Sequence, residues 1–353
     1  MKLRKSIALA LALCMGLTML TACGGNNNAG GNTGGDNPGG GSSGDSLKLI
    51  FAHNQTSTDN SFHLGAVKFK EEVERLSNGQ ITVEVHAGDL GTNESELIEK
   101  VELGGADICV ASPSFMGQVG VKEIDLLAFT YLFDDLDHWT RAIDGEYGQV
   151  VRDAVKEKTN FEIIGNFIAG VRVVYGNRFI KGPEDMQGLK IRVQDSVICT
   201  DYWKSIGAVT VSLGWGEMYQ ALQQNACDAA ENSYVAFVLA NHHTTTNGKY
   251  ITDTNHDYAT RPAYVNKAKF ESLTEEQRGW ILEAMKTAEQ YQREVDTKLA
   301  DELKQRAIDE GAEVYEPTKA EIQFMIDAAV KQQDEFAAQN GLEAELKMIR
   351  DAK

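Results

Sequence analysis

Outside its first 45 residues this 353-residue chain contains no Gly-x-x-x-x-Gly-Lys-Ser/Thr loop, no Gly-x-Ser-x-Gly elbow, no His-Glu-x-x-His helix and no Cys-x-x-Cys pair. Those gaps remove the phosphate cradle, the strained nucleophile and the common zinc sets. The seven histidines are scattered, and His242 and His243 are adjacent rather than a helical turn apart. We therefore expect no metal, no cofactor and no enzyme activity. Positive charge is also scarce: 34 Lys and Arg face 52 Asp and Glu, a formal charge of −18, and three of the positive residues (Lys2, Arg4, Lys5) crowd the N-terminus. So acidic a chain excludes nucleic acid and anionic lipid as direct partners. In it most carboxylates read as solvated surface. If the ligand is an anion, local arginines must overcome the net field.

Long apolar runs are missing too, except from Ile7 to Leu20. That run is short for a membrane span and follows basic residues, as in a secretory signal. Leu20-Thr21-Ala22-Cys23 resembles the lipobox of bacterial lipoproteins. Residues 1–22 are thus predicted to be a signal peptide, with Cys23 lipidated and the protein held on the outer side of a cell membrane. Residues 24–45 hold ten glycines and no large apolar side chain. They cannot bury enough surface to offset ordering, so 23–45 is predicted to be a lipid-anchored flexible linker reaching roughly 25 Å. Cys109, Cys199 and Cys227 then remain, an odd number read as packed side chains, with one disulfide as the alternative.

From Ser46 onward about 308 residues remain, more than one compact core usually holds, so two domains are expected. Strands at Lys48–Ala52, Ile81–Val85 and Ala106–Ala111 alternate with helices at Ser61–Leu76, capped by Ser61, and Glu94–Leu103. This order implies a parallel sheet with helices on its faces. Asp137–Lys158 reads as helix, and Phe161–Ile164 and Val171–Tyr175 as two strands between which the chain crosses into the second domain. Tyr250–Val265 looks extended. Thr274 with Gln277 makes a capping box, and Ile281, Met285, Ala288, Tyr291, Val295, Leu299, Leu303 and Ala307 trace a helical stripe. An unbroken helix there would be roughly 54 Å long, enough to run across both domains.

The segment Gly188–Asn232 centres the functional reading. In Lys190-Ile191-Arg192-Val193 the two apolar residues should face a core while Arg192 points the other way. Trp215 between glycines and the cluster Asp228, Glu231 and Asn232 follow. Together they suggest a place to hold an anion.

These segments join others: Ala52-His53, Gly79 to Val85, Asp89-Leu90-Gly91 with Glu94, Leu103-Gly104 with Ala106-Asp107, Asn177-Arg178, and Glu217 to Leu222. In that order and spacing the chain resembles the extracytoplasmic solute-binding proteins of tripartite ATP-independent periplasmic (TRAP) transporters, the DctP-like family, from about Leu47 onward. The resemblance implies an α/β, two-domain fold like that of periplasmic binding proteins, with a ligand cleft between the lobes and a long domain-spanning helix. One lobe would comprise 46–169 and 258–297, the other 170–257 and 298–353.

It further implies a monomer that captures an organic acid and delivers it to TRAP permease membrane subunits. By the same resemblance Arg192 matches the carboxylate-binding arginine, Arg172 a second arginine near the ligand, Asn232 an amide contact and Trp215 a pocket wall. Arg178 would serve as an ion pair in the frame. Asn54, His63, Glu94 and Ser112 fall at pocket-facing positions of the first domain. Glu94 would accept ligand hydroxyls or pair with Arg172. Gln194-Asp195 stands where relatives often have Pro, so Asp195 would either bind hydroxyls or neutralise Arg192. Such a polar set favours a sugar acid, a uronate or aldonate. A C4-dicarboxylate, a keto acid, sialic acid, another transporter or receptor, and a secreted lipoprotein enzyme are the alternatives.

Overall fold

The computed structural model describes residues 46–353. The predicted signal at 1–22, the linker at 23–45 and Cys23 lie outside the described residues. Leu47–His53 (β1) pairs in parallel with Ile81–Ala87 (β2) and with Ile108–Val110 (β3). Helices Ser61–Leu76 and Glu94–Leu103 connect them. The cap of the first helix is Asn60 rather than Ser61: Asn60 Oδ1 accepts the Phe62 N–H at 2.9 Å. That leaves the Ser61 hydroxyl for another partner. The predicted helix 137–158 is two helices, Leu136–Asp144 and Glu146–Lys158, with Gly145 between them.

The two strands expected at 161–164 and 171–175 form one, Phe161–Gly176 (β4). Gly165 to Gly170 carries no strand alternation of its own. It is held extended by antiparallel pairing with Tyr250–Asn266 (β8), whose register shifts between Ile163 and Gly165, between Ile168 and Val171, and between Arg172 and Val174. Gly170 at one shift has φ +73°, and a Cβ there would sit 2.6 Å from Ser233 Cβ. Lys190–Val193 (β5), Val209–Ser212 (β6) and Ala229–Ser233 (β7) complete the sheet, in the order β2-β1-β3-β8-β4-β7-β5-β6. Glu313–Tyr315 (β9) joins β8 off this path. β3 pairs with the Ala263–Val265 end of β8, and β7 with the Arg172–Gly176 end of β4. Each long strand therefore runs through both halves of the sheet.

The helix Glu275–Asp309 behaves likewise. Ile281, Ala284, Met285 and Ala288 pack with Phe62, Phe69 and Phe167, whereas Leu303 and Ala307 pack with Tyr175 and Phe237 in a different core. Its capping box is formed, the Thr274 side chain accepting from the Gln277 N–H and Gln277 from that of Thr274. The predicted stripe breaks in the middle, however. Tyr291 is exposed, and the buried positions there are Gln292, Arg293 and Asp296. Both amide ends of Gln292 bond the Ile168 backbone of β4, and Arg293 pairs with Asp144. Polar residues are buried there because the helix crosses irregular backbone that needs partners. Cys109, Cys199 and Cys227 are separate free thiols.

Candidate functional site

A cavity of about 380 Å³ opens where the two halves of the sheet meet, within the usual ~300–1,000 Å³ range of small-molecule sites. β5 lies between β6 and β7, parallel to both. Ile191 and Val193 enter a core with Met186, Tyr202 and Trp203, while Arg192, on the opposite face, lines the cavity. Its Nε and Nη2 both donate to the Leu213 carbonyl, at 3.0 and 2.6 Å. Among the described residues no carboxylate lies within 4 Å of it, yet it is only 4% exposed. Burial holds its pKa below the usual arginine value. A cation desolvated in this way is costly unless an anion joins it.

Arg172, on β4, has a different environment. Glu231 takes it in a two-pronged ion pair, Nη2 donating to Oε1 at 2.7 Å and Nε to Oε2, and Nη1 donates to Asn232 Oδ1 at 3.0 Å. Burial alone would raise the Glu231 pKa, but the Arg172 charge and a bond from His256 override it and hold Glu231 at about 2. Arg172 is thus neutralised inside the fold, and by Glu231 rather than by Glu94. The Asn232 oxygen also accepts the Ser233 N–H at 2.9 Å, so its NH₂ end is the one left for the cavity.

Glu94 pairs with an arginine that the sequence reading did not single out. Arg261 Nε donates to Glu94 Oε1 at 2.8 Å, and the Ser112 N–H donates to Oε2 at 2.8 Å. Arg261 also reaches across to Gln194 Oε1 at 3.2 Å. Asn54, Glu94, Asp195, Trp215, Arg172, Arg192 and Asn232 all line the cavity. Asp195 is exposed at its rim and makes no ion pair with Arg192 among the described residues. Trp215 lines the cavity and packs on His242, ring centroids 4.8 Å apart. Two expected residues fall outside the lining. Ser112 buttresses Glu94 through its backbone, and His63 stacks edge-on against His53, which burial and His63 itself lower to about 3. Arg178 is exposed and bonds the Asp185 carbonyl instead of a carboxylate.

Arg261 and Asp296 line the cavity without having been singled out in sequence, as do Gln194 and Ser61, which the sequence marked only as a departure from the family pattern and as a helix cap. Arg261 sits in the extended run before Pro262, and Asp296 at the break in the helical stripe; those two interruptions were the available signals. Among the described residues no group of His, Cys, Asp or Glu is arranged to hold a metal ion, and no helix is long and apolar enough to cross a membrane.

A mixed α/β frame whose two sheet halves enclose one open guanidinium among amides and hydroxyls defines a solute-binding protein for an organic anion. Residues 51–340 match the family described as bacterial extracellular solute-binding protein, family 7 (DctP), and the chain belongs to that family. It is similar to a solute-binding protein of Roseobacter denitrificans, 29% identical over 248 residues that cover 70% of this chain and 74% of the relative. It is also similar to the C4-dicarboxylate-binding periplasmic protein DctP of Rhodobacter capsulatus, 27% identical over 79% of this chain and 83% of that one. Among solved structures, a TRAP periplasmic solute-binding protein from Sulfitobacter sp. NAS-14.1 with bound β-D-galacturonate superposes with a TM-score of 0.79. It is 27% identical, covering 86% of this chain and 99% of that chain. One from Chromohalobacter salexigens with bound D-glucuronate gives 0.79 at 26% identity, covering 86% of this chain and all of the other.

Proposed function

We propose that this protein captures a uronate or aldonate outside the cell membrane and hands it to a TRAP permease. The observation that carries this reading is Arg192: buried, without a carboxylate partner among the described residues, and facing a cavity of amides and hydroxyls. A planar guanidinium takes a carboxylate through two parallel hydrogen bonds, which fixes orientation as well as adding strength. Arg172 and Arg261 already have carboxylate partners, so one open arginine suits a ligand with one carboxylate. The uronates bound by the Sulfitobacter and Chromohalobacter proteins support the same class.

In this reading the lobes are 46–169 with 258–297 and 170–257 with 298–353, closing over the ligand about the irregular stretch of β4 and β8. Cys23 carries the lipid anchor, the linker gives the lobes reach to the permease, and the protein works as a monomer without turning its ligand over. Calorimetric titration with D-glucuronate, D-galacturonate, D-galactonate, succinate, pyruvate and sialic acid tests the assignment. A uronate or aldonate is expected to bind tightest and to be recovered unchanged after long incubation. Arg192→Ala should lose a charge-assisted interaction of about 1.5–3 kcal/mol, or about 10- to 150-fold in Kd. Unaltered affinity in that variant removes Arg192 from the site, and a preference for succinate overturns the sugar acid.

A further inference from the structure

The wall of the cavity contributed by the long helix holds a carboxylate whose bonding is incomplete. Gln292 Oε1 accepts the Ile168 N–H at 3.0 Å, and its Nε2 donates to the Ile168 carbonyl at 2.8 Å. The amide is therefore locked with its NH₂ toward Ser61, to whose Oγ it donates at 3.2 Å. Ser61 Oγ, with one acceptor position used, gives its proton to Asp296 Oδ2 at 2.6 Å. Asp296 is 3% exposed. Among the described residues its Oδ1 has no hydrogen-bond donor, and no Arg, Lys or His lies within 4 Å of its carboxylate. The buried Ser233 hydroxyl on the same cavity wall likewise has no partner among the described residues.

A buried carboxylate with one donor and no cation calls for further donors. Water or ligand hydroxyls can supply them; a second ligand carboxylate cannot, because like charges repel in a desolvated site. We propose that Ser61, Ser233 and Asp296 form a hydroxyl-recognising subsite of the cavity, in which Asp296 accepts bonds from the polyol of the ligand and rejects an acid carrying a second carboxylate. This rests on the reading of the cavity as a sugar-acid site, and it adds a source of selectivity that is separate from the Arg192 clamp. Ser61 is available for the role because Asn60 caps the first helix. Asp296 is held by a helix that packs on both cores, so its position is set by the frame of the sheet.

The test compares D-glucuronate with D-glucarate, which carries a carboxylate at both ends, and with D-gluconate, an open-chain acid with one carboxylate that separates the second charge from loss of the pyranose ring; all are titrated at pH 8, where Asp296 is ionised. With the unaltered protein, glucuronate is expected to bind at least tenfold more tightly than glucarate. Gluconate rejected as strongly as glucarate overturns the subsite. Asp296→Asn keeps an acceptor for Ser61 while removing the charge, and should lower the glucuronate-to-glucarate affinity ratio at least tenfold. A merely structural role for Asp296 would weaken both ligands alike and leave the ratio in place. Glucarate binding the unaltered protein as tightly as glucuronate overturns the subsite without any variant, and so does an unchanged ratio in folded Asp296→Asn. If the unaltered protein binds uronate through Arg192 but the ratio ignores residue 296, only the subsite fails. Failure of every uronate and aldonate to bind the unaltered protein overturns the sugar-acid reading and the subsite together.

Discussion

Two buried arginines on the strands that flank β7 differ in one respect that matters: among the described residues Arg172 has a carboxylate of its own and Arg192 does not. Glu231, at about 2, stays ionised through the whole functional pH range and keeps Arg172 and Asn232 in register. Asp296 is shifted the other way, burial raising it to about 7 against the ordinary aspartate range, with the Ser61 bond opposing the shift. A raised carboxyl favours the folded state while protonated. Its contribution is present below the unfolded pKa near ~4 and is lost as pH rises through about 7, to the extent of ~4 kcal/mol. Asp296→Asn should therefore raise the melting temperature of the ligand-free protein at pH 8, and the gain should shrink steadily toward pH 4.5. Thermal scans across that range check it; a gain independent of pH contradicts the assignment of the charge. Arg192 was legible in sequence because it alternates with Ile191 and Val193. The partners of Arg172 and Glu94 were not, since Glu231 and Arg261 lie 59 and 167 residues away: strand pairing of β4 with β7 brings Glu231 to Arg172, and packing of the Glu94–Leu103 helix against β8 brings Arg261 to Glu94.

At the scale of elements, β4 and β8 decide the most and declared themselves the least. The alternation at Val171–Tyr175 and the helix cap at Thr274 were readable because each depends on neighbours within four residues. The stretch between Ile164 and Val171 was not, because its extended form is imposed by β8 and by Gln292. Gly170 records that constraint. At φ +73° a side chain is strained, and a methyl group would press on Ser233 and approach Asp296 Oδ1 to 3.0 Å. Gly170→Ala should cost about 1–3 kcal/mol for the backbone alone, read from urea denaturation, and should weaken uronate binding as Ser233 and Asp296 shift. Stability within 0.5 kcal/mol of the unaltered protein would contradict the constraint.

For the whole molecule, the long helix and the paired strands carry load between two sets of cores while the cavity lies where they cross. Closure by hinge motion needs the ligand to bind the closed form better than the open one. A ligand at 100 times its Kd should then add about 2.7 kcal/mol of stability. It should also contract the radius of gyration seen by small-angle X-ray scattering. Stabilisation without contraction would place the ligand in a cavity that does not close.

Local chemistry in the sequence determined the absence of familiar catalytic motifs, the α/β order of elements, the Thr274 capping box, the length of the bridging helix and the presentation of Arg192. Each follows from residues close together along the chain. Tertiary structure alone decided which arginine remains open, that Glu94 is bound to Arg261, that Ser112 supports the site from behind, and that Asp296 reaches the cavity. Charge pairing is settled by distances between segments far apart in sequence, and the fold brings those segments within ångströms of one another.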